Sequence, residues 1–194
     1  MTRDELIAFE KDIGDTFNRG EIRAPIHLSG GNEDQLIEIF KDFRKGDYCF
    51  STWRNHYHAL LAGIPSEEVK RQIMVGRSMT VCSPEHNFFS SAIVGGCIPI
   101  ALGVAWQIKR SGGKEHVWLM IGDMTACTGA AYECSNYAMG HNLPLKIVVE
   151  DNGKSVCTDT ASVWGGEKPM ITPDYYYKWE LPWPHSGAGK RIQF

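Results

Sequence analysis

VWLMIGD at residues 117–123 and LKIVVEDN at residues 145–152 are two apolar runs that each end in polar residues. The segment between them, from Thr128 to Gly140, predicts a helix, so the whole stretch predicts a β-α-β unit. The strands of such a unit are parallel, and their carboxyl ends lie at one edge of the sheet, where ligands bind in open α/β sheets. The sequence therefore predicts an α/β fold, a parallel sheet flanked by helices, with a ligand site at that edge.

Two oxygen-bearing side chains follow these strands. Asp123 ends the first run and Asn152 ends the second, so we expect them to lie close together. Their carboxylate and amide oxygens suit a hard cation, and Mg²⁺ prefers a few protein oxygens together with those of a phosphate ligand. The alternative is that Asp123 only caps the following helix. The spacing favours a Mg²⁺ site beside a phosphorylated ligand.

Four segments carry a resemblance to one family. Residues 122–152, GDMTACTGAAYECSNYAMGHNLPLKIVVEDN, resemble the diphosphate-binding motif of thiamine diphosphate enzymes, which begins Gly-Asp-Gly and ends Asn-Asn. This stretch looks like the alpha chain of 2-oxo acid dehydrogenases, including the acetoin dehydrogenase type. Three upstream segments resemble the same family in the same order: HLSGGNE at 27–33, STWRNHYH at 51–58 and SAIVGG at 91–96. The resemblance covers residues 25–160, and four motifs in order are a strong signal.

The sequence departs from the family motif at two positions. Met124 replaces the last glycine of Gly-Asp-Gly, so the turn after Asp123 cannot rely on the conformational freedom of glycine. Asp151 replaces the first asparagine of the final pair, whereas the second, Asn152, is the one that the family uses on the metal. Neither change removes a predicted metal ligand.

The resemblance implies a thiamine diphosphate-binding fold, with this chain as the diphosphate-binding domain, and the cofactors thiamine diphosphate and Mg²⁺. It implies three metal ligands: the side chains of Asp123 and Asn152 and the backbone carbonyl of Lys154. Arg54 offers a planar fork of donors that suits phosphate oxygens. The residues implied in cofactor binding are Trp53, Arg54, Ala92, Val94, Gly122, Asp123, Met124, Thr125 and Asn152.

Some of these residues also fit a structural role. Trp53 and Val94 are compatible with an ordinary core position, and Arg54 with the surface. His56 and His58 follow Arg54, and the resemblance places histidines there near the reacting carbon, where they are candidates for catalytic proton transfer. An isolated histidine is more often structural, so both interpretations of His56 and His58 stay open.

The implied function is that of an alpha-type subunit in a two-subunit enzyme. Such an enzyme cleaves or decarboxylates a 2-oxo acid or an acyloin and transfers the resulting unit, with a lipoyl carrier protein as one acceptor. The family places the activating glutamate on a beta-type subunit that carries the pyrimidine-binding domain, so we expect a heterotetramer of two alpha and two beta chains and no activity from this chain alone. The alternatives are a split carboligase resembling transketolase, and a non-catalytic paralogue that stabilises a partner.

The composition of the chain indicates which broad classes of protein it does not resemble. The 194 residues suffice for one domain with a core, and 43% hydrophobic and 22% charged residues are ordinary for a soluble protein. A net charge of −3 without a basic run does not indicate nucleic acid, and no apolar run approaches the ~18 residues of a membrane span. The beginning of the chain lacks a signal-peptide pattern, and its six cysteines form no Cys-x-x-Cys pair, which together predict a cytoplasmic location.

Periodicity and turn residues predict the other elements. We expect a single domain over 1–194, in which 157–194 forms an irregular tail rich in aromatic residues and proline. The remaining predictions are helices over 3–19, 32–43 and 95–110, a further helix capped by Ser66, a strand over 48–53 and a loop over 76–91.

Overall fold

The computed structural model describes residues 1–166 and 171–189. Its strands, numbered in chain order, are β1 (Tyr48–Ser51), β2 (Cys82–Ser83), β3 (Phe88–Ser90), β4 (Val117–Gly122), β5 (Leu145–Asp151), β6 (Lys154–Ser155), β7 (Thr158–Asp159) and β8 (Tyr175–Lys178). Its helices are α1 (Arg3–Asn18), α2 (Glu33–Ile39), α3 (His56–Leu61), α4 (Ser66–Met74), α5 (Cys97–Ser111), α6 (Asp123–Ala126), α7 (Gly129–Gly140) and α8 (Thr160–Trp164).

The main sheet has six strands in the order β2-β3-β1-β4-β5-β8. All neighbouring pairs are parallel except β2 and β3, and β6 and β7 form a separate antiparallel hairpin. The fold-class prediction is therefore confirmed: the chain is a mixed α/β protein with a mostly parallel sheet flanked by helices.

Alternating residues of β4 enter two separate cores. Trp118 and Met120 pack with buried residues of α1 to α4, whereas Leu119 and Ile121 pack with residues of α5 and α7. A sheet covered on both faces explains why β4 and β5 are almost continuously apolar, since neither face meets water. This arrangement leaves the carboxyl edge of the parallel strands as the place where a ligand can approach.

The β-α-β prediction agrees closely with the structure. The helix between the two strands begins at Gly129, and the hydroxyl oxygen of Thr128 accepts a hydrogen bond from the backbone N–H of Ala131, as an N-cap does. The predicted helix over 32–43 is shorter, ending at Ile39. The capping role predicted for Ser66 is wrong, because Pro65 holds the N-cap position and Ser66 is the first helical residue.

The predicted loop over 76–91 is also wrong. It contains strands β2 and β3, separated by the short 3-10 turn Pro84–His86. Phe88 is completely buried and pairs with Cys49 in the parallel β1–β3 ladder. The apolar run here is only two residues long, so the surrounding proline, asparagine and serine residues concealed it. In addition, the predicted strand over 48–53 ends at Ser51, and α3 follows it without having been predicted.

The prediction of an irregular tail from residue 157 is wrong for much of the described segment. It holds β7, α8 and β8, and β8 extends the main sheet in parallel with β5. Tyr175 and Tyr177 point inward and pack against the core, while Tyr176 is exposed, so alternation rather than overall aromatic content was the decisive signal. Residues 167–170 and 190–194 of the predicted tail lie outside the described residues, and the single-domain assignment stays a prediction.

Within the described ranges, no helix has both the length and the apolar character that a membrane span requires.

Candidate functional site

A cleft of about 560 Å³ opens at the carboxyl edge of the sheet, where β1, β4 and β5 end. The segments after these three strands form most of its wall, together with Asn32. The chain after β8 closes another side with a stretch that includes Trp179, Trp183 and His185. The cleft therefore lies where the β-α-β pattern predicts a ligand site.

Seven of the residues predicted to bind the cofactor or its metal line this cleft: Trp53, Arg54, Gly122, Met124, Thr125, Asn152 and Lys154. Val94 lies in an exposed loop and lines a small neighbouring pocket that shares Thr52, Trp53 and Thr125 with the cleft. Ala92 is exposed in the same loop and lines neither of these two pockets. The structure thus brings most of the predicted cofactor residues together.

Asp123 and Asn152 follow neighbouring parallel strands. Gly122 pairs with Glu150 in the β4–β5 ladder, so the chain segments carrying Asp123 and Asn152 leave the sheet side by side. The Asp123 side chain is completely buried, and Oδ1 of Asn152 accepts a hydrogen bond from the backbone N–H of Lys154 at 3.2 Å. In this arrangement a carboxylate and an amide oxygen lie at one sheet edge.

The chemistry of this donor set fits a hard cation. A carboxylate, an amide oxygen and a backbone carbonyl are all oxygen ligands, which Mg²⁺ prefers, and a small set of them leaves positions for phosphate oxygens. Among the residues that the structure describes, no three His, Cys, Asp or Glu side chains form a metal-binding group. The predicted set of Asp123, Asn152 and Lys154 contributes one such side chain, and its binding of Mg²⁺ stays a prediction.

The two departures from the family motif have local explanations. Met124 has a helical backbone within α6, so the position after Asp123 does not need the freedom of a glycine. The carboxylate of Asp151 accepts hydrogen bonds from the backbone N–H of Gly153 at 2.8 Å and from the hydroxyl of Tyr176 at 2.6 Å. Asp151 therefore shapes the turn that presents Asn152.

Arg54 is held by backbone carbonyls on two sides. Its Nη1 donates to the carbonyl of Leu28 and its Nη2 donates to the carbonyl of His185 at 3.4 Å. Burial lowers the pKa of Arg54 to about 10, which still leaves the guanidinium protonated at neutral pH. A cation with remaining donors thus faces the cleft, and a guanidinium suits phosphate or carboxylate oxygens.

The placement of His56 does not support a role at the reacting carbon. Its side chain is completely buried: Nδ1 lies 3.0 Å from both carboxylate oxygens of Glu10 and Nε2 lies 2.9 Å from the hydroxyl of Ser78. Glu10 also accepts a hydrogen bond from the backbone N–H of Ser29. Because this ring does not line the cleft, His56 joins α1, α3 and the loop before β2 instead of meeting a substrate.

His58 likewise lies behind the cleft wall. Its Nδ1 is 2.8 Å from the hydroxyl of Ser51, and its Nε2 is 3.0 Å from Oε1 of Glu150. Burial raises the pKa of Glu150, but the charge of His58 and hydrogen bonds from His58 and Tyr177 outweigh it, so the pKa lies below its usual value. Glu150 itself lines the cleft, which makes His58 a residue that orients this carboxylate.

Asn32 and Glu150 are cleft residues that the sequence interpretation missed. The side-chain amide of Asn32 donates to Oε2 of Glu150 and to the hydroxyl of Tyr177, both at 3.1 Å. Oδ1 of Asn32 is buried and has no hydrogen-bond partner among the described residues. The position of Glu150, directly before Asp151 and Asn152 at a strand end, was the available signal.

The chain is similar over most of its length to proteins of one family. The family model described as "Dehydrogenase E1 component" matches residues 1–168. The chain belongs to the dehydrogenase E1 component family. It is 32% identical over 161 residues to the pyruvate dehydrogenase E1 component subunit alpha of Porphyra purpurea, a match that covers 74% of this chain and 47% of that relative. It is 30% identical over 166 residues to the protein of the same name in Rickettsia felis, covering 80% of this chain and 51% of the relative.

This member of the E1 component family spans about half the length of these curated relatives. Among solved structures, a chain described as a thiamin diphosphate-dependent enzyme from Mycobacterium smegmatis is similar at 18% identity and a TM-score of 0.46, covering 71% of this chain and 23% of that one. The E1 component match ends at residue 168, so the cleft wall formed by Trp179, Trp183 and His185 lies beyond it.

Proposed function

We propose that this chain is the alpha-type subunit of a thiamine diphosphate-dependent 2-oxo acid dehydrogenase and forms the half of its site that binds the diphosphate. The observation that carries the proposal is the cleft at the carboxyl edge, which collects Arg54, Met124, Asn152 and Lys154 beside the buried Asp123. Membership of the E1 component family and relatives named pyruvate dehydrogenase E1 component subunit alpha support it.

The cofactor's diphosphate and its Mg²⁺ would be held by groups from three strand ends. The side chains of Asp123 and Asn152 and the carbonyl of Lys154 would bind Mg²⁺, and Arg54 would donate hydrogen bonds to phosphate oxygens. Trp53 has an indole N–H and lies beside Arg54 on the cleft wall. The chemistry that thiamine diphosphate supplies when bound is that of a carbon nucleophile and an electron sink for 2-oxo acids.

The other residues of the cleft orient ligands and exclude water. Glu150, held by His58, Asn32 and Tyr177, presents a fixed carboxylate. Preorganised polar groups of this kind need no rearrangement when a ligand binds, which favours catalysis. Trp179 and Trp183 close one side of the cleft with apolar surface. The arrangement suits a small, polar substrate beside a bound diphosphate.

A partner subunit is part of this proposal. We expect a beta-type subunit to bring the pyrimidine-binding domain and the glutamate that activates the cofactor, in a heterotetramer of two alpha and two beta chains. The exposed loop that carries Ala92, Ile93 and Val94 borders the small pocket beside Trp53, a position suited to contact with the pyrimidine side of the cofactor. Cofactor binding between unlike subunits would cover this loop.

The proposed reaction is decarboxylation of a 2-oxo acid with transfer of the acyl unit to a lipoyl carrier, or the related cleavage of an acyloin. A split carboligase is the second candidate, because the wall with Trp179 and His185 lies outside the E1 component match and could shape an acceptor site of another kind. The two differ in the acceptor of the two-carbon unit.

The test is to co-express the chain with the neighbouring reading frame and to assay the purified complex. We expect 2-oxo acid-dependent reduction of an artificial electron acceptor that requires thiamine diphosphate and Mg²⁺, and acylation of an added lipoyl domain. Acyloin formation from pyruvate and an aldehyde, without lipoyl acylation, would establish the carboligase instead. Absence of both activities in a complex that binds the cofactor would support the non-catalytic alternative.

A further inference from the structure

The segment after β8 is built into the cleft by contacts with the N-terminal half of the chain. The backbone N–H of Gly187 donates to the carbonyl of Ile26 at 3.0 Å, and Arg54 donates to the carbonyl of His185. Gly30 and Gly31 lie directly against this segment, and a Cβ on Gly30 would come within 2.9 Å of Pro182. The position of His185 is therefore fixed by packing on both sides.

His185 forms a pair with His27 at the cleft. Their Nε2 atoms are 3.3 Å apart and their ring centroids 4.7 Å apart, in an edge-to-face arrangement with the ring of Trp53 nearby. His27 is 7% exposed, whereas His185 lines the cleft. A contact between two Nε2 atoms requires one ring to donate and the other to accept, so the two tautomers are linked.

The burial of His27 determines which of the two histidine rings donates the hydrogen bond. Nδ1 of His27 is buried and has no hydrogen-bond partner in the described part of the chain. An orphaned buried N–H is disfavoured more strongly than an orphaned acceptor, so His27 carries its proton on Nε2 and donates it to Nε2 of His185. His185 must then carry its own proton on Nδ1, the ring nitrogen that no residue of the described ranges engages.

We propose that His185 contacts the substrate, presenting a neutral imidazole whose Nδ1–H donates a hydrogen bond to an oxygen of the 2-oxo acid, with His27 as the positioning residue that fixes this tautomer. The proposal rests on the proposed function. It goes beyond the E1 component match, because that match ends at residue 168 and His185 is supplied by the segment after β8.

The surroundings of His27 and His185 favour the neutral form of both rings. Burial, followed by the charge of Arg54, lowers the pKa of His27 to about 3 and also lowers the pKa of His185. A protonated His185 would donate from its Nε2, so His27 would have to carry its proton on the buried Nδ1, which has no hydrogen-bond partner among the described residues. The uncharged form is therefore the one that the fold holds at neutral pH.

The experiment compares His185→Phe, His185→Gln and the control His116→Gln in the purified complex. His116 precedes β4 at the opposite edge of the sheet. Because a hydrogen bond to a charged ligand contributes roughly tenfold or more, we expect His185→Phe to lower kcat/KM for the 2-oxo acid at least about tenfold, mainly through KM. His185→Gln, which keeps an N–H donor, should recover part of this loss. Thiamine diphosphate affinity, measured by calorimetry, should stay the same in all variants.

A kcat/KM for His185→Phe equal to that of His116→Gln would overturn the proposal. The second readout needs no turnover: ¹⁵N histidine spectra of the full chain in its complex should show protonated Nε2 on His27 and protonated Nδ1 on His185. Pyruvate should shift the Nδ1 signal of His185. The reverse tautomers, or no shift with pyruvate, would also overturn it. Loss of cofactor binding in the wild-type complex would instead contradict the proposed function.

Discussion

Asp123 combines complete burial with a position between two residues, Gly122 and Met124, that line the cleft. A buried carboxylate at a strand end is costly unless a cation or hydrogen bonds compensate its charge. Replacing it with asparagine keeps the shape of the side chain and removes the charge. The Asp123→Asn variant therefore isolates the electrostatic contribution of this residue to Mg²⁺ binding.

We expect Asp123→Asn in the complex to weaken Mg²⁺-dependent binding of thiamine diphosphate more than about 100-fold, because even groups that only support metal ligands contribute ~10- to 100-fold. Calorimetric titration measures this affinity. Asp34→Asn, an exposed carboxylate on α2, is the matched control and should bind as the wild type does. Equal affinities in the two variants would remove Asp123 from the metal site.

The His27 side chain makes a separate prediction for stability. Burial and the charge of Arg54 lower its pKa from 6.5 to about 3, so between these values the unfolded chain binds a proton that the folded chain does not. The free energy of unfolding is therefore highest above pH 6.5, where His27 is neutral in both states. As the pH falls below 6.5, it decreases by about 1 kcal/mol per pH unit.

Chemical denaturation at pH 7, 6 and 5 measures this loss. We expect the free energy of unfolding to decline toward pH 5 in the wild type and to decline less steeply in His27→Gln, which has no titrating ring. An identical slope in the two proteins would show that His27 does not carry the pH dependence.

The turn at Gly30 and Gly31 holds the segment after β8 against the rest of the fold. Gly31 has a φ of +80°, and a Cβ there would collide with the backbone carbonyl of Glu180. Gly63 has a similar φ of +96° but nothing within 4 Å of an added Cβ. Comparing alanine substitutions at Gly31 and Gly63 therefore distinguishes the cost of backbone strain from the cost of a steric clash.

We expect Gly63→Ala to lower the free energy of unfolding by about 1 kcal/mol, the cost of the left-handed backbone. Gly31→Ala should lose a further ~1–3 kcal/mol, because the added methyl group displaces the segment at Glu180. Thermal unfolding measures both variants, and limited proteolysis should cleave the segment after β8 faster in Gly31→Ala alone. Equal losses would mean that the segment does not depend on this contact.

The helices and strands of this fold differ in how well the local sequence predicts them. The β-α-β unit from Val117 to Asp151 was predictable because its strands are long, apolar and separated by a capped helix. β3 and β8 were missed because their burial comes from long-range pairing with β1 and β5, which local pattern does not encode. For the same reason, the sequence predicted the cleft residues Arg54 and Asn152 but not Asn32, Glu150 or the contact between His27 and His185.

Exposed apolar side chains on two neighbouring helices, α5 and α7, point to a surface that a partner covers. Ile100 of α5 is 57% exposed, and Tyr132 and Met139 of α7 are 65% and 69% exposed. Exposed large apolar groups of this kind often mark a protein–protein interface. This is consistent with the proposed assembly of unlike subunits, in which one chain supplies the diphosphate site and its partner the activating glutamate.

We expect the isolated chain to show no turnover of pyruvate and the complex with its beta-type partner to be active. Mixing the separately purified chains should restore activity in proportion to the complex formed, as measured by size-exclusion chromatography with an activity assay of each fraction. Turnover by the isolated chain at the rate of the complex would contradict the division of the site between two subunits.

Calorimetric titration of thiamine diphosphate into the co-purified complex, with and without Mg²⁺, measures whether the cleft binds the cofactor through a metal ion. The geometry of Asp123, Asn152 and Arg54 predicts tight binding that requires Mg²⁺. Absence of binding in both conditions would contradict the proposed cofactor site and leave a non-catalytic role beside a partner as the better interpretation of this fold.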